Sequence, residues 1–366
     1  MSKRLETLDS LRGLAALIVV FHHFIVFNGE IIKDYIPKDI NDIFHFISDL
    51  NTEAVFFFFV LSGFSIGLAQ KGKLIESRIK LNFYLYKRFK RILPIYWLAL
   101  FVTFVTGLLT NYILQPSYSL FNLIGNLFFL QTPTNATNYW FSPYGNNGPL
   151  WSLSYEMFFY LFFPIVSYAL KPRKQLHKLI LWSLLFISSV ISIVINKYFI
   201  FIPILSYLSL FIVWWSGFEI SICFLSRKQE NSFWAIILVF TALVLLFSKF
   251  MSSASLIAIF KGLFIAALFY FLLRLNNFWK SNLKNQLKVS FNFIFNRIGH
   301  GSYALYAIHY PLFIYFSYVS LSLFQQIIYT LVLILFCPIL EQWTIKKEFS
   351  FLRLNYTKLK TLEHIE

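Results

Sequence analysis

Charge is scarce in this chain, and acidic charge most of all. Only 13% of residues are Asp, Glu, Lys or Arg, and 16 acids stand against 32 bases. No polar stretch is longer than a loop, so the material for a soluble domain is missing. Cysteine is nearly absent: Cys223 and Cys337 lie far apart, each in an apolar run. That pattern argues against a disulfide framework and against a metal site, and it says nothing of redox compartment. The basic N-terminus MSKRLETLDSLRG is not followed by a small-x-small cleavage site. The first apolar segment therefore reads as a retained span rather than a leader. No internal repeat and no low-complexity tract is visible.

What is present is apolar. Hydrophobic residues make up 58% of the chain, and the mean hydropathy is +0.65. Long apolar runs recur from end to end, which predicts an all-α fold, a polytopic membrane protein of about ten transmembrane helices. The spans are placed at 12–28, 52–70, 92–112, 150–170, 178–195, 199–225, 232–248, 252–273, 300–319 and 323–342. A further run, LFNLIGNLFFLQT at 119–131, is too short to cross and reads as re-entrant or interfacial. One transmembrane domain is expected over 1–345, followed by a short basic cytoplasmic tail at 346–366.

The net charge of +16 would suggest nucleic acid on a soluble protein. Here its distribution matters more, because Lys and Arg mark cytoplasmic loops. With the N-terminus inside and ten passes, 27 of the 32 basic residues fall inside. Four (Lys33, Lys38, Lys197 and Lys249) fall outside, and Lys261 lies within a span. Counting 119–131 as a span would move KPRKQLHK outside, so it is not counted. The expected placement is the inner (plasma) membrane, multi-pass, with both termini cytoplasmic. Membrane lipids are partners and nucleic acid is not.

Ionisable groups inside the spans are costly in lipid and so point to function. The first span opens with Arg12 and carries His22 and His23. Eleven residues make almost three turns, so Arg12 and His23 share a helix face, about 16 Å apart along the axis. His22 faces elsewhere. Two readings of the histidines stand: buried groups bonded to neighbouring helices, or a general acid or base titrating near neutral pH. In the second span, Ser62 and Gly63 either let a helix approach closely or make room for a slim substrate chain.

The most basic loop ends in KRFKR, with Arg88 and Arg91 three apart on one face. Positive-inside anchoring explains much of this charge. Two arginines in register where the span begins also suit bidentate phosphate binding. In the fourth span, Ser152, Glu156 and Tyr160 are spaced by four. An acid at that depth needs a water-filled cavity or a partner, either His23, at comparable depth, or a Trp or Tyr. Ser302, Tyr306 and His309 form a similar stripe in the ninth span, lining a cavity or bonding between helices.

In order, these elements resemble the acyltransferase type 3 family of integral-membrane acyltransferases, which includes bacterial O-antigen and exopolysaccharide O-acetylases. LDSLRGLAALIVVFHHF is similar to the family's first span, with Arg12 and His23 on its Arg and His. FFVLSG ends on Ser62 and Gly63, and RFKR supplies Arg88 and Arg91. LWSLSYEMFFYLFFP puts Glu156 on the acidic position, although the family more often has Val-Glu-Glu-Gln-Phe there. GHGSYALYAIHYPLF resembles the late SYxLYxxHxP span.

The resemblance implies transfer of an acyl group, acetyl by default, from cytoplasmic acyl-CoA to a hydroxyl of a surface or lipid-linked glycan. The expected roles are catalysis for His23, Glu156 and Arg12, and donor binding for Arg88, Arg91, Ser62 and Gly63, with no metal. Some members carry a C-terminal hydrolase-like domain, which is not expected here. Direct attack by the acceptor and an acyl-His23 intermediate both remain open. The rival classes are a multi-span transporter and a glycan polymerase or ligase. The transporter would be expected to show paired inverted halves, and none is visible.

Overall fold

A backbone in lipid has no water to bond, so each apolar run must satisfy its own amides and carbonyls, and a helix does this locally. The computed structural model describes residues 2–75, 77–132, 140–170, 178–251, 253–278 and 294–346. Its helices are α1 (Ser2–Ile32), α2 (Lys38–Asp49), α3 (Asn51–Ala69), α4 (Arg78–Leu109), α5 (Leu120–Leu127), α6 (Trp151–Leu170) and α7 (Lys178–Tyr198). Then follow α8 (Pro203–Ser209), α9 (Phe211–Ser226), α10 (Asn231–Leu246), α11 (Ala254–Phe278), α12 (294–299), α13 (Ser302–Tyr318) and α14 (Leu323–Lys346). Among the described residues, eight helical segments are long and apolar enough to cross a membrane. The chain is an all-α polytopic membrane protein.

All ten expected spans coincide with helix, but two are short: α10 has 16 residues and α13 has 17. Three details differ from the expectation. The stretch after the first span contains the twelve-residue helix α2, whose apolar residues recur at helical spacing. From Arg78 on, the basic segment before the third span is not loop. It is the first turns of α4, which continue through Pro94. The sixth span is broken at Leu210 into α8 and α9. The short run at 119–131 forms the eight-residue α5. Most of KPRKQLHK, much of the 274–297 loop and nearly all of the basic tail lie outside the described residues.

The chain divides into two compact units. The first comprises Met1–Ala54, Arg78–Ser154 and Gln286–Glu366. In it α1 and α13 run in the same direction. Asp9 meets Gly299, His23 meets His309, and Phe27 meets Phe313. The start of this pairing is backbone on backbone: a Cβ on Gly13 would sit 2.3 Å from the Phe295 carbonyl oxygen. Only glycine allows that approach. α14 returns antiparallel to α13, with Pro338 against Gly301 and Tyr329 against Phe316. These directions agree with first and ninth passes of one sense and a tenth of the other.

The second unit comprises Val55–Ser77 and Tyr155–Asn285. Here α3 and α9 cross at small residues. A Cβ on Gly63 would lie 1.9 Å from the Trp214 carbonyl oxygen, and one on Gly217 would lie 2.0 Å from that of Val60. Gly67 meets Ser221 one turn on. Gly63 and Gly67 form a Gly-x-x-x-Gly face, which lets helices pack closely where burial from water offers no drive. Phe159, Phe163, Phe211, Trp214 and Phe218 fill the space around this crossing. Lys178 at the head of α7 bonds Glu230 and lies 3.5 Å from the buried Glu219, which also takes the Trp215 indole N–H at 3.2 Å.

Candidate active site

Two histidines from distant parts of the chain meet in the first unit. His309 Nε2 is 3.0 Å from His23 Nδ1. His309 is fully buried on α13, and its Nδ1 lies 2.9 Å from the Leu305 carbonyl one turn back. His23 Nδ1 lies 3.0 Å from the Val19 carbonyl, also one turn back. A carbonyl only accepts, so each Nδ1 must carry a proton to bond there. The rings of Tyr310 and His23 meet edge to face at 4.9 Å, and Phe27 packs on Tyr310 at 5.5 Å. His23 is thus flanked by aromatic surface and a second imidazole.

His22 has a different task. Its Nδ1 lies 3.0 Å from both the carbonyl and the hydroxyl of Ser48 and 3.1 Å from Asn51 Nδ2. It pins the end of α2 and the start of α3 to α1. Phe21 adds an edge-to-face contact with Phe44 of α2.

At the other end of α1, Arg12 donates to Asp9 at 2.7 Å. The second Asp9 oxygen is 3.8 Å from His300 Nδ1. A residue that the sequence reading passes over completes this end. Glu341 of α14 is buried, 4% exposed, and accepts the Ala304 amide at 3.1 Å. Ala304 is in the first turn of α13, whose N-cap Gly301 supplies no side-chain bond. Glu341 therefore serves as the cap from another helix, a favoured place for an anion. The positive charges of Arg91 and Arg12 both act on its carboxylate. Arg88 lies along α4 with its guanidinium 5.9 Å from the centre of the Tyr84 ring.

The second unit holds a polar chain of its own. Trp214 Nε1–H donates to Ser62 Oγ at 3.1 Å, Ser62 lies 2.8 Å from the Tyr160 hydroxyl, and Tyr160 donates to Glu156 Oε1 at 2.5 Å. The Trp214 indole can only donate and the carboxylate only accept, so every proton points toward Glu156. Of the two partners expected for Glu156, the aromatic hydroxyl is the one bonded.

The expected donor-binding notch at Ser62 and Gly63 is filled by protein. Ser62 is bonded to Trp214 and Tyr160, and α9 occupies the open side of Gly63. Arg12 and His23 both project from the continuous helix α1, Arg12 bonded to Asp9 and His23 to His309. Arg12, His23, Arg88 and Arg91 belong to the first unit, and Ser62, Gly63 and Glu156 to the second.

The model of the family described as "Acyltransferase domain" matches residues 5–341. This chain belongs to the acyltransferase type 3 family. A curated relative, "Protein 2 in picA locus" of Rhizobium radiobacter, is 32% identical over 148 residues, covering 37% of this chain and 69% of that protein. No solved structure matches. Membership sets acyl transfer ahead of the transporter and glycan polymerase readings.

Proposed function

We propose that this acyltransferase moves an acetyl group from cytoplasmic acetyl-CoA to a hydroxyl of a surface polysaccharide or lipid-linked glycan, in the inner membrane with both termini cytoplasmic. The observation that carries the reading is His23, an imidazole inside a membrane helix whose Nδ1 is already bonded. The neutral ring then has its lone pair on Nε2, where a base must have it. Arg88 and Arg91 hold the phosphates of the donor, in keeping with two guanidinium groups three apart on α4. Arg12 adds positive charge on the same side, and Glu156 orients the acceptor.

In the reaction, the acceptor hydroxyl gives its proton to His23 Nε2 while its oxygen attacks the thioester carbonyl. A carbon–oxygen bond forms and the carbon–sulfur bond breaks. The leaving thiolate takes the proton from His23, which returns to its starting form. Apolar helices around the site keep out the water that would hydrolyse the thioester.

The test is the base-labile ester content of the host's surface glycans, measured by mass spectrometry. A deletion strain is rescued with wild type or with His23→Ala. Only wild type should restore the mass shift, and its size identifies the acyl group. Equal rescue by both would overturn the role of His23. No change of any ester on deletion would overturn the glycan acceptor.

A further inference from the structure

The bond between His23 and His309 has a direction. His309 Nδ1 faces the Leu305 carbonyl at 2.9 Å, so its proton sits there and its Nε2 carries the lone pair. That lone pair points at His23 Nδ1, 3.0 Å away, and the same nitrogen faces the Val19 carbonyl at 3.0 Å. Were the His23 proton on Nε2 instead, three lone pairs would converge at its Nδ1. With the proton on Nδ1, one N–H is shared between two acceptors and no repulsion remains.

We infer that His309 is a positioning residue for His23: its Nε2 accepts the His23 Nδ1–H and so holds the basic lone pair on His23 Nε2. The inference rests on His23 being the base of the proposed transfer. It adds a role that the sequence leaves open, since the ninth-span stripe reads equally as packing.

Two features suit His309 to this task. It is fully buried, and its Nδ1 is already bonded to the Leu305 carbonyl, which fixes the direction of the ring. It is also held in ring contact with Tyr306 at 6.3 Å and Phe313 at 5.7 Å. When His23 takes the acceptor proton, the resulting imidazolium still donates through Nδ1, now as a charged donor, which strengthens both bonds. The stabilisation is therefore larger in the charged state than in the resting state, as catalysis requires.

The test uses the full chain in membrane vesicles supplied with radiolabelled acetyl-CoA, reading base-labile label in the glycan fraction. The variants are His23→Ala, His309→Phe and His309→Gln. Phe keeps the volume and removes the acceptor. Gln places an amide oxygen where Nε2 was. His309→Phe should lower kcat by roughly tenfold or more, with the KM for acetyl-CoA nearly unchanged. His309→Gln should recover most of that loss, which a purely structural histidine would not explain.

Nitrogen-15 NMR of the histidine-labelled protein supplies a readout independent of turnover. In wild type, His23 should show a protonated Nδ1 and a bare Nε2, and that preference should weaken in His309→Phe. A His23 proton found on Nε2 in wild type would overturn the inference whether or not any variant folds. Full activity in His309→Phe beside a dead His23→Ala would overturn it too, and leave the proposed base standing. Full activity in His23→Ala would sink the base itself.

Discussion

The Glu341 carboxylate accepts the Ala304 amide at 3.1 Å, so the last helix caps the one that carries His309. The same carboxylate lies within the influence of Arg91 and Arg12. One acid thus secures the start of α13 and places a carboxylate near two arginines. Glu341→Ala should remove the cap and leave the Arg12 and Arg91 charges less compensated, costing about 1–3 kcal/mol. Glu341→Gln, which still accepts from Ala304, should cost less. Melting of the detergent-solubilised protein measures the order; equal melting temperatures for wild type and Glu341→Ala would refute the capping role.

His23→Ala should reduce transfer by about 10²–10⁴-fold, the usual contribution of a positioned acid–base group. His22→Ala should instead loosen the α1–α2 junction, because Ser48 and Asn51 lose their partner. Its effect should fall mainly on melting temperature. A swap of these two phenotypes, read by label transfer and by melting, would show that the wrong histidine had been chosen.

At the crossing of α3 and α9, Gly63→Ala and Gly217→Ala should each destabilise by about 1–3 kcal/mol, since the new methyl meets backbone rather than a movable side chain. Gly148→Ala is the control, because the nearest atom to a Cβ there is 4.0 Å away. Denaturation curves for the three proteins give the comparison.

Tyr160→Phe removes the donor at 2.5 Å from Glu156 and cuts the chain that starts at Trp214. If Glu156 takes part in transfer as proposed, turnover should fall by roughly 10- to 100-fold with little change in melting. Unchanged turnover would confine that chain to packing.

Much of the fold is legible in local sequence. Hydropathy over one window sets a span, and charge between windows fits its direction, so all ten expected spans appear as helix. The short α2 is missed because its apolar positions sit among Lys38, Asp39, Asp42 and Asp49, and a polar average hides a periodic face. The site is less legible. That His23 is ionisable in an apolar run can be read locally; that it meets His309 cannot, since no spacing rule links residues 286 positions apart. Glu341 was available to the same reasoning that singled out Glu156, being an acid within an apolar span. Gly63 shows the opposite limit. A small residue signals close approach, but only the neighbouring backbone shows that a helix fills the gap.

The separation of His23 from His309 also sets a timetable for assembly. A ribosome adding about 5–20 residues per second needs roughly 15–60 s to travel between them. For that interval the first helix has been made and its partner has not. An imidazole in such a helix needs somewhere to place its N–H, and the Val19 carbonyl supplies it from the same helix. The back-bond that steers the ring in the finished enzyme thus also shelters it during biogenesis. α13 is made late in synthesis, so the contact between His23 and His309 can form only after most of the chain has been built.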